Sequence, residues 1–213
     1  MTGIFIALEG PEGAGKSTQV ARLADWLRDR GLDPLVTREP GGTAVAEDVR
    51  RILLDTETLS PRTELLLMLA SRSALVADVI RPALAEGRVV VTDRFHLSTL
   101  AYQGYGRQLP LEEVRRMNAF ATDGLEPDLT LLLDLDPAAG AARKAAIGTG
   151  PDRIERAGDA FHTRVAEAYR LLAESDSRIV RLDASGTRGA VHEAIVAVLA
   201  DGFPETFAGA PGL

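Results

Sequence analysis

Eight consecutive residues, Gly10-Pro11-Glu12-Gly13-Ala14-Gly15-Lys16-Ser17, constrain this chain more than any other stretch of its sequence. They satisfy G-x4-G-K-[ST] at every position, a spacing whose glycines let successive backbone N–H groups converge on phosphate oxygens. The first turn of a following helix adds its partial positive charge to that cradle. Such a loop works only between a strand and a helix, and the flanks provide both. Ile4 to Leu8 is an apolar run between Gly3 and Gly10, the pattern of a strand buried on both faces of a parallel sheet. Val20, Leu23, Ala24 and Leu27 then recur at helical spacing, and Gly31 supplies the stop. The whole loop with Thr18 is therefore an ATP-binding candidate, in which Lys16 bridges the β- and γ-phosphates and the Ser17 hydroxyl ligates Mg²⁺. Nucleotide binding follows from the loop. The reaction does not, because unrelated activities share it.

The pattern of short apolar run followed by helix repeats along the chain. Leu35–Thr37, Val89–Thr92, Leu129–Leu133 and Ile179–Leu182 read as four further strands, separated by helical stretches at Ala44–Leu54 and Glu64–Leu84 among others. Five strands alternating with helices imply an α/β fold of the P-loop kinase type, a parallel five-stranded sheet flanked by helices. No repeat or low-complexity linker divides the 213 residues, so one domain over 1–213 is expected, with Pro204 to Leu213, rich in Gly, Pro and Ala, as a frayed tail. A chain of this length buries roughly 70% of its extended surface, enough for one core.

Composition narrows the partners. Thirty-one acidic against 24 basic residues give a net charge of −7, which disfavours a broad grip on nucleic acid while leaving room for a local arginine pocket. With no cysteine, thiol catalysis and cysteine-bound zinc are excluded, and His96, His162 and His192 show no ligand spacing. The N-terminus lacks a basic, then apolar, export pattern, and no run approaches the ~20 apolar residues of a membrane span, so a cytoplasmic protein is expected.

Further motifs sit where strand ends of a doubly wound sheet converge on one crevice. Thr37-Arg38-Glu39-Pro40-Gly41-Gly42-Thr43 follows the second strand. Asp93-Arg94-Phe95 ends the third and leads into Ser98-Thr99-Leu100-Ala101-Tyr102-Gln103-Gly104; Arg72 lies in the long helix and Asp152-Arg153-Ile154-Glu155 follows a Gly-rich segment. Arginine offers a planar fork suited to phosphate. Asp93 is placed either to hold Mg²⁺ through water or to cap the next helix.

From Glu9 to about Ala184 the sequence closely resembles the bacterial thymidylate kinases of the lid-arginine type. The resemblance implies phosphoryl transfer from Mg-ATP to dTMP, with Arg94 and Arg38 on the dTMP phosphate, Arg72 at the thymine edge, and Ser98 or Thr99 fixing the base. It also implies Tyr102 beneath the sugar where a 2′-hydroxyl would sit, Gln103 nearby, Glu12 near the 3′-hydroxyl, and a homodimer; the apolar helix Leu65–Val79 offers a face that serves either the dimer or the core. Two departures stand out. Met68 occupies the position where the family carries a stacking phenylalanine, and serves either the base or the core. In the lid, about 143–156, only Arg143 and Lys144 precede Arg153, so Arg153 is expected to stabilise the transferring phosphoryl group and Arg143 to assist the nucleotide, with Gly148, Gly150 and Pro151 as a flap. Lys16, Arg153, Arg94 and Glu12 form the expected catalytic set. Another nucleotide or nucleoside kinase of this fold, or a nucleotide-operated switch, are the competing readings.

Overall fold

The computed structural model describes residues 3–148 and 152–207, so Gly150 and Pro151 of the expected flap lie outside the described residues. Five strands, β1 (Ile4–Glu9), β2 (Leu35–Arg38), β3 (Val89–Asp93), β4 (Leu129–Asp134) and β5 (Ile179–Asp183), form one parallel sheet in the order β2-β3-β1-β4-β5. Burial explains the order. The three inner strands are apolar at nearly every position, whereas β2 and β5 are only half-buried and occupy the edges.

Side-chain alternation divides the core into two layers. Ile6 and Leu8 of β1, Val91 of β3, and Leu131 and Leu133 of β4 point to one face, where α1 (Lys16–Arg28) and α9 (Arg188–Gly202) cover them with Leu23, Leu27, Ile195 and Leu199. Phe5, Ala7 and Val90 point to the other, against Leu75, Val76, Ile80 and Phe95. Leu132 meets α8 (Asp159–Glu174) on that side through Val165, Ala168 and Tyr169.

Between these lie α2 (Ala44–Asp55), α3 (Pro61–Leu75), α4 (Arg81–Ala85), α5 (His96–Thr99), α6 (Leu111–Thr122) and α7 (Pro137–Ile147). The helix expected over Glu64–Leu84 is realised as α3 and α4 joined by a π-helical turn at Val76–Ile80. A second π-helical turn, Leu100–Gly106, carries Tyr102 and Gln103. One difference concerns the expected tail. Pro204–Phe207 forms a short α10, and Phe207 is buried against Trp26 at 5.8 Å between ring centroids and against Phe203. Composition marked this stretch as loose; the hydrophobic free energy of one buried ring, roughly 1.5–3 kcal/mol, holds it to α1. Residues 208–213 lie outside the described residues.

Candidate active site

The loop Gly10–Ser17 leaves the carboxyl end of β1 and enters α1, whose N-cap Gly15 adopts φ 91° and provides no side-chain cap, leaving the first amides of the helix open to a ligand. Two of its glycines are required by crowding. Gly10 has φ +140° and a Cβ there would meet the Leu133 carbonyl oxygen at 2.3 Å; Gly13 has φ +74° and would meet Gly140 O at 2.3 Å. The second contact has a structural result that the motif does not reveal: the backbone of α7 lies directly on the phosphate loop, which brings the next turn of α7, with Arg143 and Lys144, beside it.

Lys16 is buried and donates to Gly10 O at 3.0 Å and Pro11 O at 2.8 Å. Burial, reinforced by the Arg94 charge, pulls its ammonium down to about 8. Ser17 Oγ donates to Asp93 Oδ2 at 2.6 Å, so both expected Mg²⁺-site oxygens meet at the end of β3. The next residue, Arg94, has φ 74°. Left-handed backbone is uncommon for a side chain of this size, and it turns the guanidinium back over the loop. There Arg94 donates to Gly10 O, Ser98 Oγ, Tyr169 Oη, Tyr102 Oη and Glu12 Oε1. Burial works to raise the Glu12 carboxyl, but Arg94, Lys16 and Lys144 together override it and hold Glu12 well below the usual carboxylate range. Tyr102 also donates to Glu12 at 3.2 Å.

A cavity of about 890 Å³ runs from this cluster outward. Of the expected residues, Glu12, Gly13, Ala14, Gly15, Lys16, Ser17, Thr18, Arg38, Met68, Asp93, Arg94, Ser98, Tyr102, Gln103 and Arg143 line it. Arg143 donates to Ala184 O and Ser185 O, fixing α7 to the loop after β5 on the side where Gly186–Arg188 close the wall. Arg38, half-exposed, pairs with Glu47 at 2.9 Å. Met68 serves two surfaces at once, the cavity wall and a small cluster with Val49 and Leu53.

Five expected residues lie off the wall: Gly10 and Pro11, whose carbonyls accept from Lys16, and Thr99, Arg72 and Arg153. Thr99 is fully buried and accepts from Arg72 Nη1 at 2.8 Å. Arg72 is itself fully buried, and its five N–H donors go to Glu39, Thr99, Asn118 and the Phe95 carbonyl. The largest departure is Arg153. Expected at the transferring phosphoryl group, its side chain is folded away from the loop, with Nη1 on Glu64 Oε2 at 2.6 Å and Nε on Leu53 O at 3.0 Å. A fully buried carboxylate at the start of α3 is costly without partners, and Arg153 is one of those that compensate Glu64. The side of the loop nearest α7 is taken instead by Lys144, whose Nζ pairs with Glu155 and lies 3.6 Å from Glu12 Oε2.

The sequence reading passed over a set of buried acids. Glu9, the last residue of β1, accepts from Phe95 N, Ser98 N, Ser98 Oγ and Tyr169 Oη. Glu39 holds Arg72, with burial raising its carboxyl against that pairing. Glu64 holds Gln103, Arg107 and Arg153. An acidic residue ending an apolar strand was a readable signal for Glu9, and Glu39 lay inside the Thr37–Thr43 motif without a role of its own; for Glu64 nothing in the local pattern distinguished it from a surface acid.

The model of the family described as "Thymidylate kinase" matches residues 8–195. The chain belongs to the thymidylate kinase family. The thymidylate kinase of Synechococcus sp. (strain JA-2-3B'a(2-13)) is 49% identical over 97% of this chain and 98% of that protein. That of Pseudomonas putida (strain GB-1) is 50% identical over 93% and 96% respectively. Among solved structures, the thymidylate kinase from Ehrlichia chaffeensis superposes with a TM-score of 0.76 at 30% identity, covering 93% of this chain and 99% of that one. Fold and family thus agree with the five-stranded parallel sheet and the loop at its centre. Among the described residues no helix is long and apolar enough to cross a membrane.

Proposed function

We propose that this member of the thymidylate kinase family transfers the γ-phosphoryl group of ATP to dTMP, giving dTDP and ADP for dTTP synthesis. One observation carries the reading. The phosphate loop and the Arg94–Gln103 segment face each other across a single cavity, joined where Arg94 meets Glu12. A donor and an acceptor held in one cleft gain most of their rate from positioning and electrostatics.

In this reading the loop and Lys16 hold the triphosphate, and Arg143 borders the nucleoside end. Mg²⁺ fits the oxygen pair of Ser17 and Asp93. The ion keeps several waters and phosphate oxygens and needs one or two protein oxygens, and among the described residues no larger cage of His, Cys, Asp or Glu competes for it. Held by Ser17 and Asp93, the ion would supply charge neutralisation for the phosphates. Arg94 and Arg38 hold the dTMP phosphate. Ser98 and Gln103 contact the base over Met68, and Arg72 fixes Glu39 and Thr99 beneath it, reaching thymine only by releasing one of its bonds. Tyr102, kept protonated by burial, fills the space of a 2′-hydroxyl, and Glu12 accepts from the 3′-hydroxyl. Lys144 supplies the cation that Arg153 was expected to bring.

The acceptor test is direct. Release of ADP is followed with dTMP, dUMP, UMP, CMP, AMP and thymidine, and dTMP is expected to exceed every ribonucleotide at least tenfold. Equal use of a ribonucleotide sinks the Tyr102 argument, and ADP release without a phosphorylated acceptor sinks the kinase reading. The reading includes a homodimer, supported by large apolar side chains left exposed on two packed helices, Leu66 of α3 and Phe120 of α6. Sedimentation at the monomer mass overturns that part alone.

A further inference from the structure

Glu64 stands in the first turn of α3, fully buried, and nothing in the motif reading gave it a role. Donors from three residues on two separate parts of the chain, the turn over 100–107 and Arg153, converge on its carboxylate. Gln103 Nε2 reaches Oε1 at 2.7 Å; Arg107 reaches it with Nε at 3.2 Å and Oε2 with Nη2 at 3.0 Å; and Arg153 Nη1 reaches Oε2 at 2.6 Å. Those four bonds occupy about the full acceptor capacity of a carboxylate. Burial works to raise the Glu64 carboxyl, but the hydrogen bonds from Arg107, Gln103 and Arg153 outweigh it and lower it, so Glu64 is ionised at neutral pH.

An ionised carboxylate accepts hydrogen bonds and donates none. The Gln103 amide must therefore present its NH₂ to Glu64, which sends Oε1 the other way. Gln103 is buried to 1% exposure and borders the cavity, and among the described residues its Oε1 has no partner. An unpaired buried acceptor at a cavity wall is satisfied by a ligand N–H and penalised by a ligand lone pair. We propose that Glu64 is a positioning residue for base specificity: it sets the polarity of the Gln103 amide, so that the cavity accepts a pyrimidine with N–H at that edge, as in thymine, and rejects one with a bare nitrogen, as in cytosine. The same carboxylate holds Arg153, whose neighbours Ile154 and Glu155 line the cavity. This rests on the reading of Gln103 as a base contact.

Glu64→Gln tests it, because a neutral amide partner lets Gln103 adopt either orientation. Wild-type enzyme with Mg-ATP is compared with Glu64→Gln and Glu64→Asp for kcat/KM on dTMP and on dCMP. The ratio of the two is expected to fall at least tenfold in Glu64→Gln and to stay within about threefold of wild type in Glu64→Asp, which keeps the charge. A purely structural role lowers both substrates equally and leaves the ratio unchanged, and that result overturns the proposal. Should Glu64→Gln fail to fold, Gln103→Met in the wild-type background decides, since an unchanged ratio there shows that no amide polarity is being read. Failure of wild-type enzyme to use dTMP rejects the kinase reading; an unchanged ratio in an enzyme that does use dTMP rejects this inference alone.

Discussion

The two sides of the cavity are built in different ways. The donor side is a run of adjacent residues, and its buried cation bonds within six positions of itself, Lys16 to Gly10 O and Pro11 O. The acceptor side is assembled from buried acids paired across the chain: Arg72 with Glu39, 33 positions apart, Gln103 with Glu64, 39 apart, and Tyr169 with Glu9, 160 apart. A phosphate cradle needs only backbone amides and a helix end, which a local sequence can supply. Recognition of a nucleoside needs fixed side-chain orientations, and a buried charge pair fixes them at the cost of depending on both partners.

Glu39→Ala breaks the comparison hardest if it is wrong. Leaving the Arg72 guanidinium buried without its carboxylate is expected to cost about 3–5 kcal/mol of stability in urea unfolding. Lys16→Met, on the donor side, is expected to leave stability unchanged or higher while abolishing activity. Equal destabilisation by the two would erase the distinction.

Next in size is the choice of cation. Lys144→Ala is expected to lower kcat on the order of 10²-fold, the scale of losing one transition-state charge donor, with partial recovery in Lys144→Arg. Arg153→Ala is expected to lower the melting temperature with a kcat loss several-fold smaller. If Arg153→Ala instead loses the larger factor, the guanidinium leaves Glu64 during turnover and the expectation from the motif is restored.

The pH profile sharpens the donor side. With the Lys16 ammonium near 8 in the free enzyme, kcat/KM for Mg-ATP should fall about tenfold per unit above that pH, as the charge is lost. Stability runs the other way. The folded value of about 8 lies below the ordinary 10.5, so between them the unfolded chain binds more protons and the Lys16 contribution to stability rises with pH. A flat kcat/KM up to pH 10 overturns the lowered Lys16 ammonium.

The smallest effect concerns Met68. Met68→Phe places a ring on the cavity wall, and aromatic stacking adds roughly 0.5–1.5 kcal/mol beyond burial, which should lower the dTMP concentration for half-maximal rate by about 2- to 10-fold. No change assigns Met68 to its cluster with Val49 and Leu53.

Local pattern in the sequence was sufficient for the five strands, the loop between β1 and α1, and the residues that turn toward the cavity at strand ends. These depend on neighbours: apolar alternation selects buried strands, and glycine φ angles with a helix end make the anion cradle. Which partner each charged side chain finds was decided only in the tertiary structure. Arg153 and Lys144 are nine positions apart and chemically alike, yet packing of α3 set a buried Glu64 beside the first, and the Gly13–Gly140 contact set Glu12 beside the second. That Arg72 shares its donors among Glu39, Thr99 and Asn118 is seen only in the fold, and Phe207 reads as a loose end until Trp26 is found beneath it. The physical reason is range: backbone geometry is settled over a few residues, whereas the fate of a guanidinium depends on which carboxylate the fold buries about 3 Å away.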